Sequence, residues 1–248
     1  MNRKRDDVGL FDFFGKNAGD GGLKKHAARV ADKRAQAPDR WDSLQALGAM
    51  RTSGSVEAML GRFSFYSDPS ITDQEEKEEA CRLIVAAGDA AVAPVCDVLR
   101  KWDSIGWPLK LLERLVPEER VVMELLGVLA LLDTEYERDP TRKIQVLQAL
   151  EERTHAEIAA GVLRFLGDVS ESARYHATGA LARQADAAEH RDALLAALTR
   201  EESVRVQGRL LELFQERGWD LGVERTKLER SLPPGFALDK AGIPVRRS

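Results

Sequence analysis

Long apolar runs are missing from this sequence. No stretch approaches the ~18 residues needed to cross a bilayer, so no membrane span is expected. Cysteine is scarce, with only Cys81 and Cys96. The start of the chain is basic but has no apolar core or cleavage site of a secretory signal, so a cytoplasmic location and two buried thiols are expected rather than a disulfide. Basic excess is missing too. The net charge is −4 and the pI about 5.7, which argues against a nucleic-acid binder, although segregation of charge onto one face would escape this test. The four histidines, His26, His155, His176 and His190, show no metal-chelating spacing. Gly-x-Ser-x-Gly, Walker-type and Gly-x-Gly-x-x-Gly motifs are absent. No catalytic residue, metal or cofactor is therefore expected, and the chain reads as a non-enzyme. Alternating strand patterns are lacking apart from Phe63 to Tyr66, which reads more simply as a helix end.

What is present is helical periodicity. Hydrophobic residues make up 44% and charged residues 31%, which suits a helical chain with much exposed surface. Arg174 is followed by Ala177, Ala180 and Leu181. Arg205, 31 positions later, is followed by Gly208 and Leu211 at matching offsets. Lys143 leads Val146, Ala149 and Leu150; Lys77 leads Ala80, Leu83 and Ile84; Arg40 leads Ser43, Ala46 and Leu47. Lys110 opens a poorer match, and the spacings along the series are 37, 33, 33, 31 and 31. Two short helical patterns at a fixed period mark a helical repeat. Small residues let the next helix approach, and leucines fill the gap between units. The basic residue opening each unit is expected at an exposed shoulder.

These repeats resemble the HEAT repeat, in the small form also seen in phycobilisome-lyase-like proteins. The resemblance implies an all-α solenoid of five to six helical hairpins. It also implies that an Arg near the unit's start pairs with a neighbouring unit's Asp. The element Asp68-Pro69-Ser70-Ile71-Thr72-Asp73 is similar to one in bacterial HEAT proteins. Bilin lyases and HEAT-like iron hydroxylases share the repeat, but the bilin-attachment pattern and the repeated His-Glu pairs are not found here. HEAT-like DNA glycosylases supply the alternative reading, a nucleic-acid-binding solenoid with a basic groove.

Three segments follow from this pattern: 1–38, an N-terminal cap or tether; 39–232, the repeats; and 233–248, an extended tail whose Phe236, Leu238 and Val245 are expected to lie over the last repeat. Leu10, Phe11, Phe13 and Phe14 form an apolar knot before a basic helix at 23–35. That region reads as a cap over the first repeat, as a peripheral membrane anchor, or as a docking segment. Within the repeats, Trp41, Leu44 and Leu47 mark one apolar stripe. Thr72 and Glu75 form a capping box that predicts a helix from about Asp73, and Pro94 is placed in the first turn of its helix. The connections 66–73, 101–107 and 133–140 are longer than the later ones. In a repeat array they line one edge. They carry Tyr66, Asp68, Asp73, Trp102, Asp103, Trp107, Asp133, Glu135 and Tyr136. Aromatics among acids on loops form a candidate ridge for another protein, its identity open. The competing reading is that the rings tuck inward and the acids cap helices.

Overall fold

A computed structural model describes residues 21–247. The chain is all-α: helices make up 70% of it, and the described residues hold thirteen α-helices and a single two-stranded sheet. Two compact units are distinguished, one of residues up to Lys101 together with Trp107–Val116, the other of Trp102–Gly106 with the chain from Pro117.

In the first unit α1 (Gly21–Val30) lies on α2 (Ala37–Met50) and α3 (Ser53–Leu60), burying Ala27 and Val30. Pro38 opens α2, where its missing N–H costs nothing, and Thr52 with Ser55 forms a reciprocal capping box at α3. The chain continues through α4 (Ser70–Ala86), α5 (Asp89–Lys101) and α6 (Gly106–Leu115). Contacts run between alternate helices, α2 on α4 and α3 on α5, around Leu44, Leu47, Ile84 and Leu99. Each buried leucine contributes about 1.5–3 kcal/mol by leaving water. Close approach is secured by Gly48, where a Cβ would stand 2.5 Å from a methyl carbon of Leu83.

The second unit comprises α7 (Glu118–Ala130), α8 (Thr141–Glu151), α9 (Ala156–Val162), α10 (Glu171–Ala182), α11 (Arg191–Arg200), α12 (Val204–Arg217) and the short α13 (Arg225–Leu228). Here α8 packs on α10, α10 on α12, and α7 on α9. Leu129, Leu150, Leu181 and Leu195 are all buried, as the periodicity requires.

Several expectations are corrected. Helix α4 starts at Ser70, after Pro69, so Thr72 lies inside the first turn and makes no cap. Pro94 lies beyond the first turn of α5. A proline there cannot donate to the carbonyl four residues back, and the Ser53 hydroxyl donates to that Ala90 carbonyl instead, at 3.0 Å. Trp41 is 38% exposed while Leu44 and Leu47 are fully buried, so it leaves the buried stripe. The tail is not merely extended: β1 (Phe236–Leu238) pairs antiparallel with β2 (Pro244–Arg246), which packs on α12, and Phe236 is buried.

The largest correction concerns the repeated basic residues. Arg40, Lys77 and Lys143 are buried, not at an exposed shoulder. Each is held by carboxylate. Arg40 donates two hydrogen bonds to Glu76, both 2.9 Å, and Lys143 lies 2.9 Å from Asp168. The half-buried Arg174 donates to both oxygens of Glu201, at 2.7 and 2.8 Å. Lys110 is more exposed and pairs with Glu78 at 2.6 Å; Arg205, half exposed, reaches Glu171 at 3.4 Å. In the Arg40, Lys143 and Arg174 pairs the carboxylate comes from the following part of the sequence, Glu in two cases where the resemblance implied Asp.

Candidate functional site

The first candidate edge segment is shorter as a loop than its sequence suggests, because α4 absorbs its second half. Ile71 and Asp73 are therefore helical. Asp73 is buried and faces inward, away from any partner. Its carboxylate accepts from the Ser67 N–H at 3.0 Å, from Arg62 at 2.7 Å and from Lys77 at 2.7 Å. Arg62, itself fully buried, also donates to Glu76 at 2.6 Å. Three cations, Arg40, Arg62 and Lys77, thus share the two carboxylates of Glu76 and Asp73. Aromatic faces assist: Arg62 stands 4.5 Å from the Phe65 ring centre, and the Lys77 ammonium 3.8 Å from that of Tyr66. Burial pushes the Asp73 carboxyl up, but the hydrogen bonds from Lys77, Arg62 and Ser67 outweigh it and hold it well below the usual carboxylate range.

This buried lattice fixes the base of the loop and leaves its tip outside. Tyr66 is 79% exposed, with one ring face on Lys77, and Asp68 is exposed. Trp107 behaves differently. It is half-buried, its ring centre 4.8 Å from that of Phe63, with the Lys110 ammonium 4.7 Å away. It is an inward anchor rather than a presented side chain.

In the second unit, Trp102 is half-buried and Asp103 exposed. Their segment is tied down by Gln145, whose Oε1 accepts from the Ile105 N–H at 2.9 Å and the Ser104 hydroxyl at 3.3 Å. Segment 131–140 is the longest connection between neighbouring helices. Lys143 donates to the Asp133 carbonyl at 3.0 Å, the Asp133 carboxylate accepts from the Glu135 N–H at 2.9 Å, and Val169 N–H reaches the Thr134 carbonyl at 3.1 Å. With residues 133 to 135 pinned, Tyr136 is 77% exposed, and Asp133 and Glu135 are exposed beside it. The two sequence readings therefore divide residue by residue. Tyr66 and Tyr136 are presented, Trp107 is tucked in, and Asp73 is structural. Leu10, Phe11, Phe13 and Phe14 lie outside the described residues.

A second polar feature escaped the sequence reading. Glu151 at the end of α8 meets His176 of α10, Nδ1 to Oε2 at 2.6 Å, and Arg209 of α12. Two guanidiniums lie against the Tyr175 ring, Arg205 at 3.8 Å and Arg209 at 4.0 Å from its centre. Glu151, Tyr175 and Arg209 line a groove of about 390 Å³ with Glu212 and Glu216. Burial raises the Glu151 pKa, but Arg209 and His176 together bring it below the ordinary value. A carboxylate paired with Arg209 and hydrogen-bonded to His176 is a poor base, and the cluster serves to tie three helices together. Glu151, His176 and Arg209 are 25 and 33 positions apart and share no offset from Lys143, Arg174 and Arg205, and nothing in residue type alone marks a shared carboxylate. Among the described residues no group of three His, Cys, Asp or Glu side chains could hold a metal, and no helix is long and apolar enough to cross a membrane.

No protein-family model, curated protein or solved structure matches this chain.

Proposed function

We propose that the chain is a non-catalytic adaptor that binds another protein, built on HEAT-like helical hairpins arranged as a solenoid. The stacking of alternate helices within each unit, at the spacing of the repeated basic residues, supports the architectural part. The functional part is carried by one observation: Tyr66 and Tyr136 are both more than three-quarters exposed on loops whose bases are pinned by buried or half-buried polar contacts. Rigidly presented tyrosines offer large contact area at low entropic cost, which is what a recognition residue needs. The acids beside them, Asp68, Asp133 and Glu135, favour a partner with a basic patch, so association should slow as salt rises. The nucleic-acid alternative draws no support from these acidic surroundings.

The test is the triple substitution Tyr66→Ala, Trp102→Ala, Tyr136→Ala, with the melting temperature checked first. Captured partners are compared with wild type by quantitative mass spectrometry from the native cell. Loss of specific partners at unchanged melting temperature supports the reading. Unchanged capture by a normally melting variant overturns it.

A further inference from the structure

We propose that the surface between the N-terminal ends of α2 and α4 is a docking site for a basic amphipathic helix of a partner protein. This deepens the reading of the chain as a binding protein but does not depend on the presented tyrosines. Its elements are three. Ile71 is 71% exposed on α4, and Trp41 is 38% exposed on α2. Two grooves with mostly carbon walls adjoin them, about 420 Å³ along Ser70, Ile71, Gln74, Glu75 and Glu78, and about 180 Å³ between Pro38, Trp41, Thr72 and Glu75. Glu75 lines both grooves, so the two form neighbouring parts of one surface.

Charge decides the occupant. Asp39 and Asp42 lie within a turn of Trp41, and Glu75 and Glu78 within two turns of Ile71, all on the accessible face. Glu78 is paired with Lys110, and Asp39 only loosely with Arg29 at 3.9 Å. Among the described residues Asp42 and Glu75 have no ion-pair partner. An isolated exposed isoleucine is ordinary. An exposed Ile and Trp bordered by unpaired carboxylates form an apolar strip with an acidic rim. The complement is a helix whose apolar stripe is flanked by Lys or Arg. The α4 residues Ile71, Glu75 and Glu78 recur at helical spacing, so an α-helix laid along them meets apolar and acidic contacts in turn.

The experiment uses the full chain and two labelled synthetic helices, one with Leu and Lys at amphipathic spacing, the other with Glu in place of every Lys. Binding is followed by fluorescence anisotropy. The Leu/Lys helix should bind and the Leu/Glu helix should not. Ile71→Ser and Glu75→Lys should each weaken binding about tenfold or more, the effect of losing a central contact. Glu157→Lys, an equal charge change at an exposed site on α9, should leave it within about twofold. All three variants are surface changes, and circular dichroism checks their helicity. The proposal is overturned if the Leu/Lys helix does not bind, or if Ile71→Ser and Glu75→Lys bind as well as Glu157→Lys. It is also overturned if the chain sediments as a dimer that Ile71→Ser dissociates, which makes the occupant a second copy. Binding that appears only after deletion of residues 1–20 overturns it likewise, because the occupant is then the chain's own N-terminal segment. Failure of the tyrosine reading is separable: the Tyr66, Trp102, Tyr136 variant should bind the Leu/Lys helix as wild type does.

Discussion

At the scale of single residues, the buried charges are the main departure from what composition suggests. Arg40, Arg62 and Lys77 are each no more than 3% exposed, and Glu76 is 1% exposed between the two arginines. Buried ion pairs add little net stability over an apolar core, but removing one partner strands the other. Glu76→Gln should therefore lower stability by about 3–5 kcal/mol in urea unfolding, because it leaves two guanidiniums without their shared countercharge. Asp73 supplies an acid-sensitive signature. Its folded pKa lies below the unfolded value of about 3.9, so its contribution is whole above about pH 5 and is lost as pH falls through and below that value. The stability gap between wild type and Asp73→Asn should thus be full at pH 7, smaller at pH 3 and smaller still as the pH falls further toward the folded pKa. An unchanged gap would mean that Asp73 is not paired as the structure places it. None of this burial was legible in sequence. A lysine or arginine at the head of a repeat reads as a surface residue on its own. Only the carboxylate that arrives 25 to 36 positions later, as for Arg40, Lys143 and Arg174, turns it inward.

At the scale of elements, periodicity located the paired helices because apolar spacing of 3.6 residues survives any detail of loop chemistry. The starts were harder. Thr72 and Glu75 have the residue types of a capping box, yet the chain enters α4 three residues earlier. Asp73 there serves the loop instead, accepting from Ser67 and Arg62. The hairpin of β1 and β2 was invisible because three-residue strands carry no measurable alternation. The small residues were legible as spacers, and Gly179 shows how strictly. A Cβ there would stand 2.0 Å from a guanidinium nitrogen of Arg209 and 2.7 Å from the Glu151 carboxyl carbon. Gly179→Ala gains up to about 1 kcal/mol of helix propensity. It should nonetheless lower the melting temperature, because overpacking costs about 1–3 kcal/mol and the Glu151 pairing is displaced with it. Pairing Gly179→Ala with Arg209→Ala should recover part of the loss. A double variant no better than the sum of the singles would show that Arg209 is not the obstacle.

At the scale of the whole molecule, the proposed array of helical hairpins would need a cover at each end. At the C-terminal end of the second unit α12 presents a packed face with Val206, Leu210, Leu211, Leu213 and Phe214 buried. Among the described residues no full-length helix follows it; α13 spans only Arg225–Leu228. The hairpin of β1 and β2 takes that place. Phe236 is 4% exposed close to Gly208, Arg246 lies 4.5 Å from its ring centre and pairs with Glu212, and the Leu221 N–H reaches the Gly242 carbonyl at 3.1 Å. Of the three residues expected to lie over the end of the chain's helices, Phe236 is buried near α12 while Leu238 and Val245 are half-buried, and they are held in a sheet rather than an extended strap. Deleting residues 233–248 should therefore cost at least the ~1.5–3 kcal/mol of burying one phenylalanine, and should uncover part of α12. Phe236→Ser isolates the ring from the backbone pairing. If the hairpin is a cover, both variants should melt earlier, and the deletion should self-associate in sedimentation velocity as the uncovered face seeks a partner. If the deletion melts and sediments as wild type does, α12 needs no cover and the tail is free for another role.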